Sequence, residues 1–163
     1  MSFAQRNSVA SIVVAAALIT LAPRAALAQL ADVKALTAGA VKRILAAAEA
    51  KAVENKWAVA IAVVDPAGEP LGFLRLDGAS VGAGQISLGK ARTAARFGRP
   101  TKVYADRVAN DTLNILSVEG VTALQGGLPI IVAGRVIGAV GVSGVTSAQD
   151  EQVAAAGIAT VIP

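Results

Sequence analysis

Three arginines and one tyrosine carry the chemistry this chain can offer. Arg92 and Arg96 lie four residues apart, and Arg99 follows after Gly98. On a helix, a spacing of four puts two side chains on one face. Guanidinium pairs bidentately with carboxylates, so convergence of the three would make a site for an acidic group. The rival reading is a solvated cationic face near a helix C-terminus, where positive charge is favoured by the helix dipole. Tyr104 is the sole tyrosine and closely follows this segment. It could serve as a packed side chain with its hydroxyl satisfied, or as a functional phenol. Asp65, Asp77 and Glu119 are further candidates for acid or base work, although no pair among them has a spacing that demands catalysis.

What is missing narrows the chemistry more. The chain has no His and no Cys, and its single Met is Met1. Disulfides, thiolate catalysis, His-based triads and ordinary zinc or copper sites are excluded. Proton transfer would fall to carboxylates, Lys or Tyr104. No phosphate-binding motif occurs; Gly82-Ala83-Gly84 lacks both the Lys-Ser/Thr of a P-loop and the spacing of a dinucleotide fingerprint.

Residues 1–28 read as a secretory signal peptide. Arg6 supplies the positive start, Val9 to Leu21 the apolar run, and Ala26-Leu27-Ala28 the cleavage site before Gln29. The run falls short of the ~20 residues of a membrane span, and Pro23 and Arg24 close it. The expected product is an exported protein, periplasmic or secreted, with no stable membrane anchor. Residues 29–163 remain, 135 in all, enough for one domain with a real core. They carry 13 basic and 11 acidic residues, a net charge of +2, so nucleic acid is not an expected partner.

The elements that must position the arginines can be read in order. Thr37 is placed to cap a helix reaching about Asn55, with Leu36, Ala40, Ile44, Ala47 and Ala48 on one side. Trp57 to Val64 reads as a strand, Asp65-Pro66-Ala67-Gly68 as a turn, and Glu69 to Leu76 as the return strand. Leu71, Phe73 and Arg75 share one face of it, and Gly72, Leu74 and Leu76 the other. A second long helix runs from Ser80 or Val81 to Phe97, with an inner stripe of Ile86, Gly89 or Lys90, Thr93 and Phe97. Gly98 and Pro100 stop it. Thr101 to Leu116 is helical with a break at Asn110-Asp111, and Val121 to Leu124 is expected as a short strand.

The stretch Gln125 to Gly144, QGGLPIIVAGRVIGAVGVSG, then reads as a hairpin at the sheet centre. Its arms are Leu128 to Ala133 and Val136 to Val142, joined at Gly134-Arg135 by a type II′ turn. Both arms are apolar throughout, so both faces should be covered. Gly138 and Gly141 mark close approach of a helix, a backbone or a ligand. Thr146 and Gln149 form a capping box for a last helix to about Ala159, and Asp150 and Glu151 suit its positive start. The sum is an α+β domain with a mainly antiparallel five-stranded sheet.

Taken together, AIAVVDPAGEPLGFLRLDGA (60–79), KARTAARFGRPT (90–101), the 125–144 stretch and Gln149-Asp150-Glu151 resemble the GlcG/HbpS-like proteins, also found as the C-terminal domain of PduO-type proteins. The combination of Phe97-Gly98-Arg99-Pro100-Thr101 with Gly126-Gly127-Leu128-Pro129-Ile130 is the specific part. The resemblance implies a profilin-like fold, a five-stranded antiparallel sheet flanked by helices, and assembly into homo-oligomers. It also implies a link to haem, which members commonly hold through a His. This chain has none, so a Tyr104, Lys or carboxylate ligand would have to replace it. The function expected is thus an exported, oligomeric binding protein for haem or another flat acidic molecule, with Arg92, Arg96 and Arg99 holding acidic groups and Tyr104 near any iron. No metal site is expected otherwise; Asp150-Glu151 is explained by its place at a helix start. The alternatives are a cofactor-free isomerase- or lyase-type enzyme using Asp65, Asp77, Glu119 or Tyr104, and an accessory subunit of an exported enzyme.

Overall fold

The computed structural model describes residues 33–162. The signal-peptide segment lies outside the described residues. Chain order is α1 (Ala38–Glu54), β1 (Ala60–Val64), β2 (Pro70–Arg75), α2 (Ala83–Phe97), α3 (Lys102–Ala109), a short 3-10 helix (Leu113–Ser117), β3 (Gly127–Val132), β4 (Arg135–Ser143) and α4 (Ser147–Ile158). The described strands form one antiparallel sheet in the order β2-β1-β4-β3.

The sheet's two faces carry side chains of different size, and this decides what packs where. Strand alternation sends Ile61, Val63, Val140 and Val142 to one face, where α1 and α4 cover them with Val41, Ile44, Ala48 and Val153. Ala62, Val64 and Ala139 point to the other face and meet Ala91, Ala94 and Ala95 of α2. Each large side chain fully buried on the first face contributes about 1.5–3 kcal/mol. On the second face, small residues let a helix backbone come close. A Cβ on Gly141 would collide with the Ser87 carbonyl and lie 2.5 Å from the Ala91 nitrogen. The close approach expected at Gly141 is therefore made by α2. At Gly138 the neighbours are the Val64 carbonyl and the Leu36 side chain.

Several expectations hold locally. Thr37 caps α1, accepting from the Ala40 N–H at 3.2 Å, and Asn55 ends it. Gly98 stops α2 in the left-handed conformation (φ 63°). The Asp65–Gly68 turn closes through the Gly68 N–H to the Asp65 carbonyl at 3.0 Å, with Gly68 at φ 89°. At α4, the Gln149 side-chain oxygen accepts from the Thr146 N–H and hydroxyl. Pro70 and Pro129 both fall on edge strands, where a missing donor is tolerated.

Four expectations are corrected. The sheet has four described strands, not five, because Val121 to Leu124 does not pair as a strand. That segment is tied instead to α2: Thr122 N–H donates to Thr93 Oγ1 at 2.8 Å, and that hydroxyl donates on to the Gly120 carbonyl. The β3–β4 turn is Ala133-Gly134, with Val132 paired to Arg135, and both turn residues have positive φ (50° and 75°). Positive φ at both central positions is the type I′ pattern, not II′. The hairpin is not wholly central: β4 pairs on both sides, whereas β3 is an edge. Finally, Ile86 and Phe97 are exposed; the inner face of α2 is Ser87, Lys90, Ala91 and Ala94. The small partners Gly141 and Ala139 leave room for short side chains and none for a Phe or Ile.

Candidate functional site

Arg92 and Arg96 end up where the spacing puts them, on one face of α2, and they meet the β1–β2 turn. Arg92 Nε–H donates to the Gly68 carbonyl at 3.0 Å, and Arg96 Nε–H to the Ala67 carbonyl at 2.9 Å. Gly68 makes this possible. A Cβ there would lie 3.0 Å from Arg96 Nε and 3.1 Å from Arg92 Cγ. The turn itself is stiffened by Asp65, whose Oδ1 accepts from the Ala67 and Glu69 N–H groups at 2.8 and 2.9 Å. Each guanidinium is thus held by its Nε. Among the described residues, neither pairs with a carboxylate, and their terminal nitrogens make no hydrogen bond.

The two arginines line a cavity of about 340 Å³ together with Gln85, Leu88, Gly120 and Thr122. Its floor is the 120–122 segment pinned by Thr93. Volume and donor set suit a small acid or the acidic arm of a larger molecule, at the low end of the ~300–1,000 Å³ typical of ligand pockets. Arg99 is exposed and does not line this cavity. The structure therefore brings together two of the three arginines.

Tyr104 is 5% exposed and packs edge-on against Phe97, with ring centroids 5.7 Å apart. It does not line the arginine cavity. The carboxylates are dispersed. Asp65 is occupied by its turn, and Asp77 and Glu119 are exposed. Arg75 donates to the Ala79 carbonyl at 2.7 Å. Among the described residues, no group of three or more acidic side chains is placed to hold a metal ion.

Sequence reasoning missed a buried ion pair. Lys90 Nζ lies 2.7 Å from Asp150 Oδ2 and donates to the Val142 carbonyl at 2.8 Å. The two side chains are 2% and 3% exposed. Asp150 Oδ1 also accepts from the Val145 N–H at 3.2 Å. Burial pushes the Asp150 carboxyl up from its ordinary value, against the opposing pull of Lys90 and the Val145 and Gly144 N–H groups. The Gln125-Gly126-Gly127 segment lies over the pair. A Cβ on Gly126 would fall 2.8 Å from Asp150 Cβ and 2.9 Å from Lys90 Nζ. Gly127 exchanges hydrogen bonds with fully buried Thr101, its N–H to Oγ1 and its carbonyl from the Thr101 N–H, both at 2.9 Å. One node therefore joins α2, the start of α3, the β3 entry, the end of β4 and α4. The available signal was Lys90 itself, a lysine on the inner stripe of a helix, which requires a buried partner.

Comparison with known proteins places this architecture. Protein GlcG of Escherichia coli K12 is 46% identical over 100 residues, which span 61% of this chain and 75% of that protein. The crystal structure of a Streptomyces reticuli HbpS double mutant superposes with a TM-score of 0.76 at 32% identity, covering 82% of this chain and 92% of that one. The PduOC structure solved as a haem complex gives 0.72 at 25% identity, covering 78% and 96%. The HbpS-like family model, described as haem degrading protein HbpS-like, matches residues 36–159. The α+β sheet, the Lys90–Asp150 node and the hairpin thus sit within the matched region, and the chain belongs to the HbpS-like family.

Proposed function

We propose that this chain is an exported, oligomeric binding protein for an acidic organic molecule, held by Arg92 and Arg96. The observation that carries this reading is the cavity itself. Two guanidiniums, fixed through Nε to the turn carbonyls and without a carboxylate partner among the described residues, line one small hollow. Held donors lose little further freedom on binding. Assembly is supported by the outer face of β2, which leaves Leu71 43% and Phe73 51% exposed.

Haem enters this reading through its carboxylates. A solved relative holds haem, but the donor set here does not suit a ligated iron. There is no His or Cys, the Tyr104 ring is buried against Phe97, and among the described residues no lysine or carboxylate lines the arginine cavity. A porphyrin would be anchored by its propionates at the arginines, with its ring outside the 340 Å³ cavity.

The test is a titration with hemin and with metal-free protoporphyrin, which carries the same carboxylates. Both should bind with similar affinity. Arg96→Ala should weaken each about tenfold or more, corresponding to ~1.4 kcal/mol, while Arg99→Ala changes little. Unchanged affinity in a folded Arg92→Ala, Arg96→Ala double variant would refute the site.

A further inference from the structure

Beside the start of α1, a larger cavity of about 740 Å³ lies between residues 34–37, the first two turns of α1, the β3–β4 hairpin and residues 159–162. It shares no lining residue with the arginine cavity. Its lining is divided in character. Leu36, Val132, Ile137 and Ile162 supply apolar surface. Lys34 and Arg43 supply two cations, and among the described residues no Asp or Glu lines it. Both charges belong to the helix start. Lys34 lies three residues before the Thr37 cap. Arg43 folds back over the first turn, where its Nη1 would be 3.9 Å from a Cβ on Gly39. That turn contains no acidic residue, so the dipole adds to the positive field there. Among the described residues, neither Lys34 nor Arg43 pairs with a carboxylate.

We propose that this cavity is a second ligand site, for a carboxylic acid with an extended apolar body. The carboxylate would pair with Arg43 and Lys34, and the hydrocarbon would lie on Leu36, Val132 and Ile137. Such a ligand matches both halves of the lining. A compact polar acid would leave the apolar surface uncovered, and a hydrocarbon without an acid would make no use of the two cations. The site is independent of Arg92 and Arg96, so it stands or falls apart from the binding reading above.

The experiment is calorimetric titration of the protein with dodecanoate, octanoate and dodecyltrimethylammonium, each below its micelle concentration. Saturable binding of dodecanoate, several-fold tighter than octanoate, is expected, because each methylene withdrawn from water strengthens association. Dodecyltrimethylammonium, with the same chain and the opposite charge, should not bind. Arg43→Glu should weaken dodecanoate at least tenfold, and Lys34→Glu should act in the same direction. Both residues are exposed, so circular dichroism should report an unchanged fold. Arg92→Ala with Arg96→Ala should leave dodecanoate affinity as it was. The proposal is overturned by absence of saturable dodecanoate binding, by equal binding of the cationic chain, or by affinity that ignores Arg43→Glu and follows the Arg92 and Arg96 variants.

Discussion

Replacing Lys90 with methionine keeps an unbranched side chain of similar length and removes the ammonium. Asp150 would then lose its 2.7 Å partner, and the Val142 carbonyl its 2.8 Å donor, in a place where both side chains are at most 3% exposed. Breaking a buried pair on one side typically costs about 3–5 kcal/mol, since an uncompensated charge remains. For a domain of this size that corresponds to a fall in Tm of roughly 10–20 °C. The cost should also depend on pH. Burial already raises the Asp150 pKa, and Lys90 is among the influences that lower it, so the variant raises it further. A carboxyl whose folded pKa lies above its unfolded value takes up protons more readily when folded. The stability it lends is full below the unfolded value and is lost as pH rises through the folded one. The Lys90→Met deficit should therefore be largest at neutral pH and shrink as pH falls toward the raised Asp150 value. Adding Asp150→Leu should recover most of the loss, because a packed apolar pair can replace a buried ion pair at little net cost. Thermal and urea unfolding followed by circular dichroism across pH 5–8 measures all three quantities. A single variant within ~1 kcal/mol of wild type, a deficit independent of pH, or a double variant no better than the single would each refute the reasoning.

Gly141→Ala should destabilise by about 1–3 kcal/mol, because its Cβ meets the backbone of α2 and not a side chain that can swing away; Gly82→Ala, with its surroundings open, is the near-neutral control in the same denaturation series. Ala133→Asn should raise Tm by a few degrees, because Ala133 holds φ 50° in a turn whose favoured sequence is Asn-Gly. Mature protein recovered from outside the cytoplasm should begin at Gln29 by N-terminal sequencing and scatter light as more than one chain; Met1 or Ser2 on the stable protein, or a monomer at micromolar concentration, would count against the export and assembly readings.

Local signals made most of the elements legible. Thr37, the Asp65–Gly68 turn and Gln149 act through hydrogen bonds to residues within a few positions, and Gly98 through its own left-handed backbone, so their neighbours alone determine them. The same holds for Arg92 and Arg96, whose shared face follows from helical spacing. What escaped depends on partners far along the chain. Lys90 and Asp150 are 60 residues apart, so a lysine on an inner stripe names no partner, and Asp150 alone reads as an acid at a helix start. Val121 to Leu124 has strand-like residues, but Thr93 on α2 takes the Thr122 N–H that a sheet neighbour would need. The exposure of Ile86 and Phe97 follows from alanines and glycines on β4, which no helix periodicity reports. The turn lies one residue before Gly134-Arg135, which the residue types do not report because an alanine, Ala133, occupies a position where positive φ is uncommon.

The register of the central pair has a consequence for how the protein is made. Ala60 pairs with Ser143 and Val64 with Ala139, so β1 finds one of its two neighbours more than 70 residues later. The β1–β2 hairpin can form as soon as it is synthesised, but a two-stranded ribbon is marginal alone. Until β4 has been translated, α2 has no Gly141 to rest on and Lys90 no acid to meet. A polypeptide emerging residue by residue therefore stays open until Ser143 and Asp150 are out. Long-range closure of this kind is slow relative to local helix formation. Whatever acts on the nascent chain has that interval in which to do so, and the strand order supplies it.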